Sequence, residues 1–461
     1  MNLLSFLKSR STPLIAFILC FTLYNWFAYN LVREQFSLLL TLYSILCLSF
    51  VYLLKYATLS FKQLSYMAFV FRALFILAIP NLSQDFYRFI WDGRLIWEGL
   101  NPYLFTPNQL LDLGNLPIAE IDTLYQGMGA LSAMHYSNYP PLNQLCFLLA
   151  AVWSSKSILG SVIVLRLLII AADFGVLYYG KKLLTTLNLN PKLIFWYILN
   201  PFIIIELTGN LHFEGVMIFF LISSLYALVK QKWLLSAFLL GCSISIKLIP
   251  LLLLPVFFWW FIKNKQQSTL KNFVQLCTFY TLVLGVVLLS FLPFLSQELI
   301  TNYATTIRLW FGNFEFNASF YYVFREIGYW FRGYNEIQII GKITPLVVIM
   351  MTLLISFLRK NPEPKALIHS LLFVLSFYLF TSTTIHPWYI ATLLMLSVFT
   401  NYSYIVVWSF TVFLSYYTYS QPDFKESYIV LCLQYVPVYL LFIWEVILKR
   451  PIPFTMLKVR T

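Results

Sequence analysis

Charge is what this chain most lacks. Only 11% of its 461 residues are Asp, Glu, Lys or Arg, while 60% are hydrophobic and the mean hydropathy is +0.77. A soluble domain carries about a quarter charged residues and about half apolar ones, so an ordinary water-soluble globule is excluded. The composition implies an all-α, polytopic transmembrane bundle whose helices bury against one another and against lipid. Cysteine is also scarce. The six present (Cys20, Cys47, Cys146, Cys242, Cys277 and Cys432) lie in apolar stretches without a CxxC partner, which argues against a disulfide framework or a zinc site and for small buried hydrophobes. The net charge of +13 is no nucleic-acid signal, because Lys and Arg gather in short segments between apolar runs, the habit of cytoplasmic loops. No removable signal peptide is evident. The first apolar run follows Lys8 and Arg10 and is long enough to be a retained first helix.

Fourteen runs are expected to span the bilayer, within a range of about 13–15 set by the ~20 residues a crossing requires. They are 13–31, 37–55, 63–81, 161–180, 193–208, 214–230, 232–248, 249–263, 273–294, 338–358, 366–384, 387–400, 404–419 and 427–447. Hydropathy alone would add 141–156. Omitting it places the clusters Lys55/Lys62, Lys181/Lys182/Lys192, Lys230/Lys232, Lys263/Lys265/Lys271, Arg359/Lys360/Lys365 and Lys449/Arg450/Lys458/Arg460 on the same side as Lys8 and Arg10. Inserting it flips every later cluster. The positive-inside rule therefore favours an interfacial or re-entrant helix at 141–156, with both termini cytoplasmic. A single integral membrane domain, 1–461, then carries two large outer-face segments, 82–160 and 295–337. Each is expected to hold an amphipathic helix along the membrane surface. Connections this long are usually functional.

Against the general scarcity, Asp85, Arg88, Asp92, Arg94 and Glu98 fall within fourteen residues, just after the third apolar run. In a helix Asp85, Arg88 and Asp92 share one face. Two readings stay open. Asp85 has the position of a general base for an incoming hydroxyl, with Arg88 and Arg94 as phosphate forks; alternatively the three form an ion-pair network that caps a surface helix. Gly99-Leu100-Asn101-Pro102-Tyr103 and Tyr136-Ser137-Asn138-Tyr139-Pro140-Pro141-Leu142 read as rigid turns. Glu206, Asn210, His212 and Glu214 gather at the outer ends of two runs and have the donor types for a divalent cation or a polar head group, although helix capping accounts for them nearly as well. Lys247 stands at an outer edge, able to meet a phosphate or to snorkel. Arg166 and Asp173, seven apart in one run, read as a structural pair. His386-Pro387-Trp388-Tyr389 marks an outer turn. Trp310, Phe316-Asn317-Ala318-Ser319, Tyr321, Tyr322 and Arg325 give the second outer segment an aromatic surface suited to a sugar, a prenyl chain or plain interfacial packing.

The order D-x-x-R-x-x-W-D-G-x-x-x-x-x-G-x-N-P-Y, from Asp85 to Tyr103, followed by Y-P-P-L, K-x-x-P and H-P-W-Y, resembles polyprenol-phosphate-sugar-dependent glycosyltransferases of the GT-C membrane superfamily. The nearest likeness is to bacterial polyprenol-phosphate mannosyltransferases, and it extends over about 84–390. The resemblance implies inverting transfer of a sugar, mannose by the nearest relatives, from a polyprenyl-phosphate donor to a lipid, glycan or protein hydroxyl. It implies a bacterial inner membrane, with the site facing the periplasm or exterior. The family's loop aspartate falls on Asp85, its second acidic position on Asp92 and its donor-phosphate base on Lys247. The expected substrate contacts are thus Arg88, Asp92, Arg94, Asn101, Tyr103, His212, Glu214, Lys247, Asn317 and His386. No cofactor is specified, and a divalent cation stays open. A flippase or transporter of lipid-linked saccharides, which needs a polar path across the bilayer, and a glycan polymerase or ligase are the alternatives.

Overall fold

A computed structural model describes residues 11–114, 116–263, 268–312 and 314–450. Lys8, Arg10, Lys265, Lys458 and Arg460 lie outside the described residues, as does the side chain of Trp310. Among the described residues the regular structure is helical, and pairing of extended backbone is confined to an isolated parallel bridge between Phe316 and Thr384.

In chain order the α-helices are α1 (Thr12–Tyr29), α2 (Phe36–Lys55), α3 (Phe61–Ala73), α4 (Asp85–Trp97), α5 (Pro107–Leu113), α6 (Ile121–Ala133), α7 (Pro141–Ser154), α8 (Ile158–Thr186), α9 (Glu214–Val229), α10 (Trp233–Ile246), α11 (Thr269–Phe291), α12 (Gln297–Gly312), α13 (Phe320–Arg332), α14 (Ile337–Leu358), α15 (Pro364–Thr381), α16 (Tyr404–Thr411) and α17 (Tyr428–Phe442). Short 3-10, π and α turns join several of them. The described residues hold seven helices long and apolar enough to cross a membrane, or eight if the bent pair Pro191–Ile198 and Pro201–Gly209 is one span. The chain is therefore a multi-pass membrane protein.

Several of the fourteen expected spans are short or broken, and local chemistry says why. The run 63–81 is helical only to Ala73 and continues as turns. Pro201 interrupts 193–208, where the Asn200 side chain caps a new turn and the axis bends by 50°. Pro250 and Pro255 hold 249–263 in a 3-10 path, Ile249–Phe257, before the turn Phe258–Ile262. The runs 387–400 and 404–419 each join an α-helix to a 3-10 stretch. Helix α7, on the disputed 141–156, has 14 residues, about 21 Å at 1.5 Å per residue, short of the ~30 Å hydrocarbon layer. Pro141 opens it, where its missing N–H costs nothing.

The described chain divides into two compact units. One uses the residues up to Ser83, Ile169–Gly215 and those from Pro387 onward; the other uses Gln84–Leu168 and Val216–His386. In the first, the Tyr43 ring lies flat on Phe413 at 3.7 Å while its hydroxyl donates to the Ser409 carbonyl at 2.6 Å. Phe69 stacks on Phe174 at 3.6 Å. The buried Glu445 carboxylate accepts from the amides of Ser403 and Tyr404, supplying the orphan donors at the start of α16. In the second, α4 rests on α6 and α7, and α10 rests on α11. Gly93 permits the close approach of α4: a Cβ there would stand 2.2 Å from the Phe147 carbonyl oxygen.

Candidate active site

Asp85 is the first residue of α4, after Gln84, and its side chain is half-buried. One and two helical turns on, Arg88 and Asp92 are buried. Arg88 Nε donates to Asp92 Oδ1 at 2.7 Å, and its Nη1 donates to the carbonyls of Ser132 and His135 at 2.8 and 2.9 Å. Asp92 Oδ2 accepts from the Ser137 hydroxyl at 2.5 Å and from Gln144 Nε2 at 2.9 Å. Buried charge is costly unless paired and hydrogen-bonded in this way. The pair thereby fixes the path of 132–137 over α4. Arg94, also buried, donates to the Ala119 carbonyl and, at 3.2 Å, to Glu120, whose carboxylate receives the Ile158 amide at 2.8 Å.

The segments 82–160 and 295–337 meet through the turn at 99–103. Asn101 donates to the Phe294 carbonyl at 3.1 Å and accepts from the Tyr103 amide. The buried Tyr103 hydroxyl donates to the Tyr139 carbonyl at 2.6 Å. From α12, Asn302 donates to the carbonyls of Tyr103 and Leu104, and Tyr303 donates to that of Asn138. The Y-P-P-L turn is thus held by both segments.

Three further motifs converge in the same unit. Lys247 follows the last residue of α10 and places Nζ 5.5 Å from the centre of the Tyr139 ring, a cation–π distance. His386 stacks against Phe314 and Phe316 at 6.1 and 5.1 Å. Burial and the nearby Lys247 cation push the His386 imidazole down to about 3, so it is neutral near pH 7. Asn317, with φ of 49°, donates to the Ile385 carbonyl at 3.1 Å, next to the Phe316–Thr384 bridge. Beside these residues lies an apolar cavity of about 460 Å³. Leu248, Ile249, Pro255, Thr344, Val348 and Thr383 are among its walls, so it is lined by the residue that follows Lys247 in the chain and by one three positions before His386.

His212 and Glu214 belong to the other unit. There the buried His212 ring stacks on Trp388 at 3.5 Å, with Nε2 3.9 Å from the Glu206 carboxylate. Glu206 accepts from the Tyr416 hydroxyl at 2.7 Å and from Asn210 at 3.2 Å. The same unit corrects the expected Arg166–Asp173 pair. Asp173 pairs with Arg72 at 2.7 Å, both wholly buried, and Arg72 also donates to the carbonyls of Ala68 and Ile198. Arg72 sits inside the run 63–81, and a charge in an apolar run was itself the available signal. Ser137, Gln144, Asn302 and Glu315 were missed, since a lone polar residue, on a helix or in a loop, announces nothing until its partner is known. Among the described residues no group of three or more His, Cys, Asp or Glu side chains is arranged to hold a metal ion.

Fold and site together define an all-helical, multi-pass membrane protein with a polar centre roofed by two long inter-helix segments. Residues 11–263, more than half of the chain, match the family described as Alpha-(1->6)-mannopyranosyltransferase, N-terminal domain, and the chain belongs to that family. It is similar to Alpha-(1->6)-mannopyranosyltransferase A of Mycobacterium tuberculosis, with 23% identity over 203 residues, covering 43% of this chain and 37% of that protein. The match therefore spans well under half the length of that relative.

Proposed function

We propose that the protein transfers mannose from a polyprenyl-phosphate donor to a hydroxyl of a lipid, glycan or protein acceptor, with inversion, at the outer face of a bacterial inner membrane. The observation that carries the donor class is the apolar cavity that starts at Leu248, the residue after Lys247. A lipid-linked sugar phosphate needs an apolar slot for its chain next to a cation for its phosphate, whereas a nucleotide sugar needs no such slot. Family membership supports the sugar.

In this reading Asp85 takes the proton of the acceptor hydroxyl. The acceptor oxygen bonds to C1 of the sugar as the C1–O bond to phosphate breaks, and the electron pair leaves with the polyprenyl phosphate. Lys247 meets the developing phosphate charge. The Tyr139 ring beside the Lys247 ammonium, and the neutral His386, are proposed as further contacts of the sugar phosphate. Arg88, Asp92 and Arg94 are positioning residues, because their hydrogen bonds to Ser132, His135, Ser137, Gln144, Ala119 and Glu120 hold the loop around α4. Asn101 and Tyr103 tie the first segment to 294–302, and Asn317 ties the second to Ile385.

The test is purified protein in nanodiscs, offered either polyprenyl-phosphate mannose or a nucleotide-linked mannose. Transfer from the lipid-linked donor alone is expected. Transfer from the nucleotide sugar with none from the lipid-linked donor contradicts the reading.

A further inference from the structure

Helix α13 carries two opposed faces. Phe320, Val323, Phe324, Ile327 and Phe331 recur at helical spacing and are exposed, and Trp330 and Phe331 are each 83% exposed at its end. A stripe of that size left bare to water is unfavourable by about 25 cal/mol per Å². The other face is fastened within the protein. Tyr321 is buried and its hydroxyl donates to Glu315 Oε2 at 2.5 Å, while Arg325 pairs with Glu315 Oε1 and stands over the Tyr322 ring at 4.3 Å. Asn335 completes the hub by donating to the same carboxylate at 3.3 Å.

What covers the bare stripe follows from where it leads. Gly333, with φ of 76°, ends α13, and after three intervening residues α14 begins, a 22-residue apolar helix suited to crossing the bilayer. The outward side chains of α14, among them Ile339, Ile343, Leu346 and Met350, are exposed as a lipid-facing surface would be. The stripe of α13 continues that surface. Exposed Tyr329, Trp330 and Tyr334 at its end suit the layer between head groups and acyl chains.

The hub also has a mechanical neighbour. Glu315 lies between Phe314 and Phe316, the two rings on His386, and the Phe316 amide and carbonyl bond to the Thr383 carbonyl at 3.1 Å and the Ile385 amide at 2.8 Å. We infer that α13 seats its aromatic stripe in the bilayer interface and, through Glu315, holds the 314–317 segment clasped to 383–385. The bilayer surface itself then sets the position of the aromatic wall around His386. This inference needs no assumption about donor or acceptor.

The experiment uses the full chain in nanodiscs, with Cys277→Ser and Cys432→Ser and an environment-sensitive fluorophore on Phe331→Cys. Quenching by lipids brominated near the head group, with little quenching by aqueous iodide, is expected. Iodide quenching without lipid quenching overturns the inference, and so does protection from both, which would mean a protein covers the stripe. A second arm measures hydrogen exchange in the Trp330→Glu/Phe331→Glu protein. The amides of Phe316 and Ile385 are expected to exchange about tenfold faster or more, with α10 and α11 unchanged, while Trp330→Tyr/Phe331→Leu keeps wild-type protection. Unchanged exchange at Phe316 and Ile385 in the double-Glu protein overturns the coupling.

Discussion

Asp92 makes its contribution from inside the protein. Its two oxygens take three donors, from Arg88, Ser137 and Gln144, and removing one member of a buried charge pair costs about 3–5 kcal/mol because the other charge stays buried. Asp92→Leu is therefore expected to lower the unfolding free energy by about that much in detergent or nanodisc melts, and Gln144→Leu by about 1–3 kcal/mol. A variant carrying both Arg88→Met and Asp92→Leu should recover part of the loss. His386 offers a pH test. Its folded value, about 3 against an ordinary 6.5, is depressed, so the unfolded chain binds a proton that the folded chain refuses between those values. The stability from neutral His386 is complete above about pH 6.5 and drains away as pH falls toward 3. Melting curves at pH 7 and 4.5 should show a smaller drop for His386→Asn than for the wild type. Legibility at this scale was uneven. Arg88 and Asp92 declared themselves by their four-residue spacing, but Ser137 and Gln144 lie 45 and 52 positions beyond Asp92, and no local pattern points across that gap.

At the scale of the element, length decided what could be read. Long uninterrupted apolar runs became α1, α2, α8, α11, α14, α15 and the helix beginning with α17, because a bilayer-length stretch with few breakers satisfies its own backbone. The runs with Asn200-Pro201 and with Pro250 and Pro255 became bent or 3-10 segments, whereas α14 and α17 carry Pro345 and Pro437 within a continuous helix, and hydropathy windows do not tell these cases apart. One broken run is functional in the present account: the 3-10 path Ile249–Phe257 opens the cavity against α14 and α15. Ile349 lines that cavity and is half-exposed, so Ile349→Trp should fill it without crowding the core. Steady-state kinetics should show KM for the lipid-linked donor raised about tenfold or more with kcat nearly kept, the signature of lost ground-state binding. An unchanged KM would remove the cavity from the donor site.

For the whole molecule, composition was a sound guide to class and a poor one to assembly. Scarce charge and high hydropathy foretold an all-helical membrane protein, whereas the bonds of Asn302 and Tyr303 to Tyr103, Leu104 and Asn138 could not be read from composition. The separation of the expected contacts was not legible. His212 and Glu214 belong to one compact unit and Asp85, Lys247 and His386 to the other, a division that arises from long-range packing. What unites the account is that a carboxylate at the start of α4 serves as base for mannosyl transfer from a lipid-linked donor. The most direct measurement is transfer of radiolabelled mannose from polyprenyl-phosphate mannose in membranes holding the wild-type protein or Asp85→Asn at matched expression. The account predicts a loss of about 100- to 10,000-fold for Asp85→Asn, with insertion and melting unchanged. Near wild-type turnover by Asp85→Asn would contradict it.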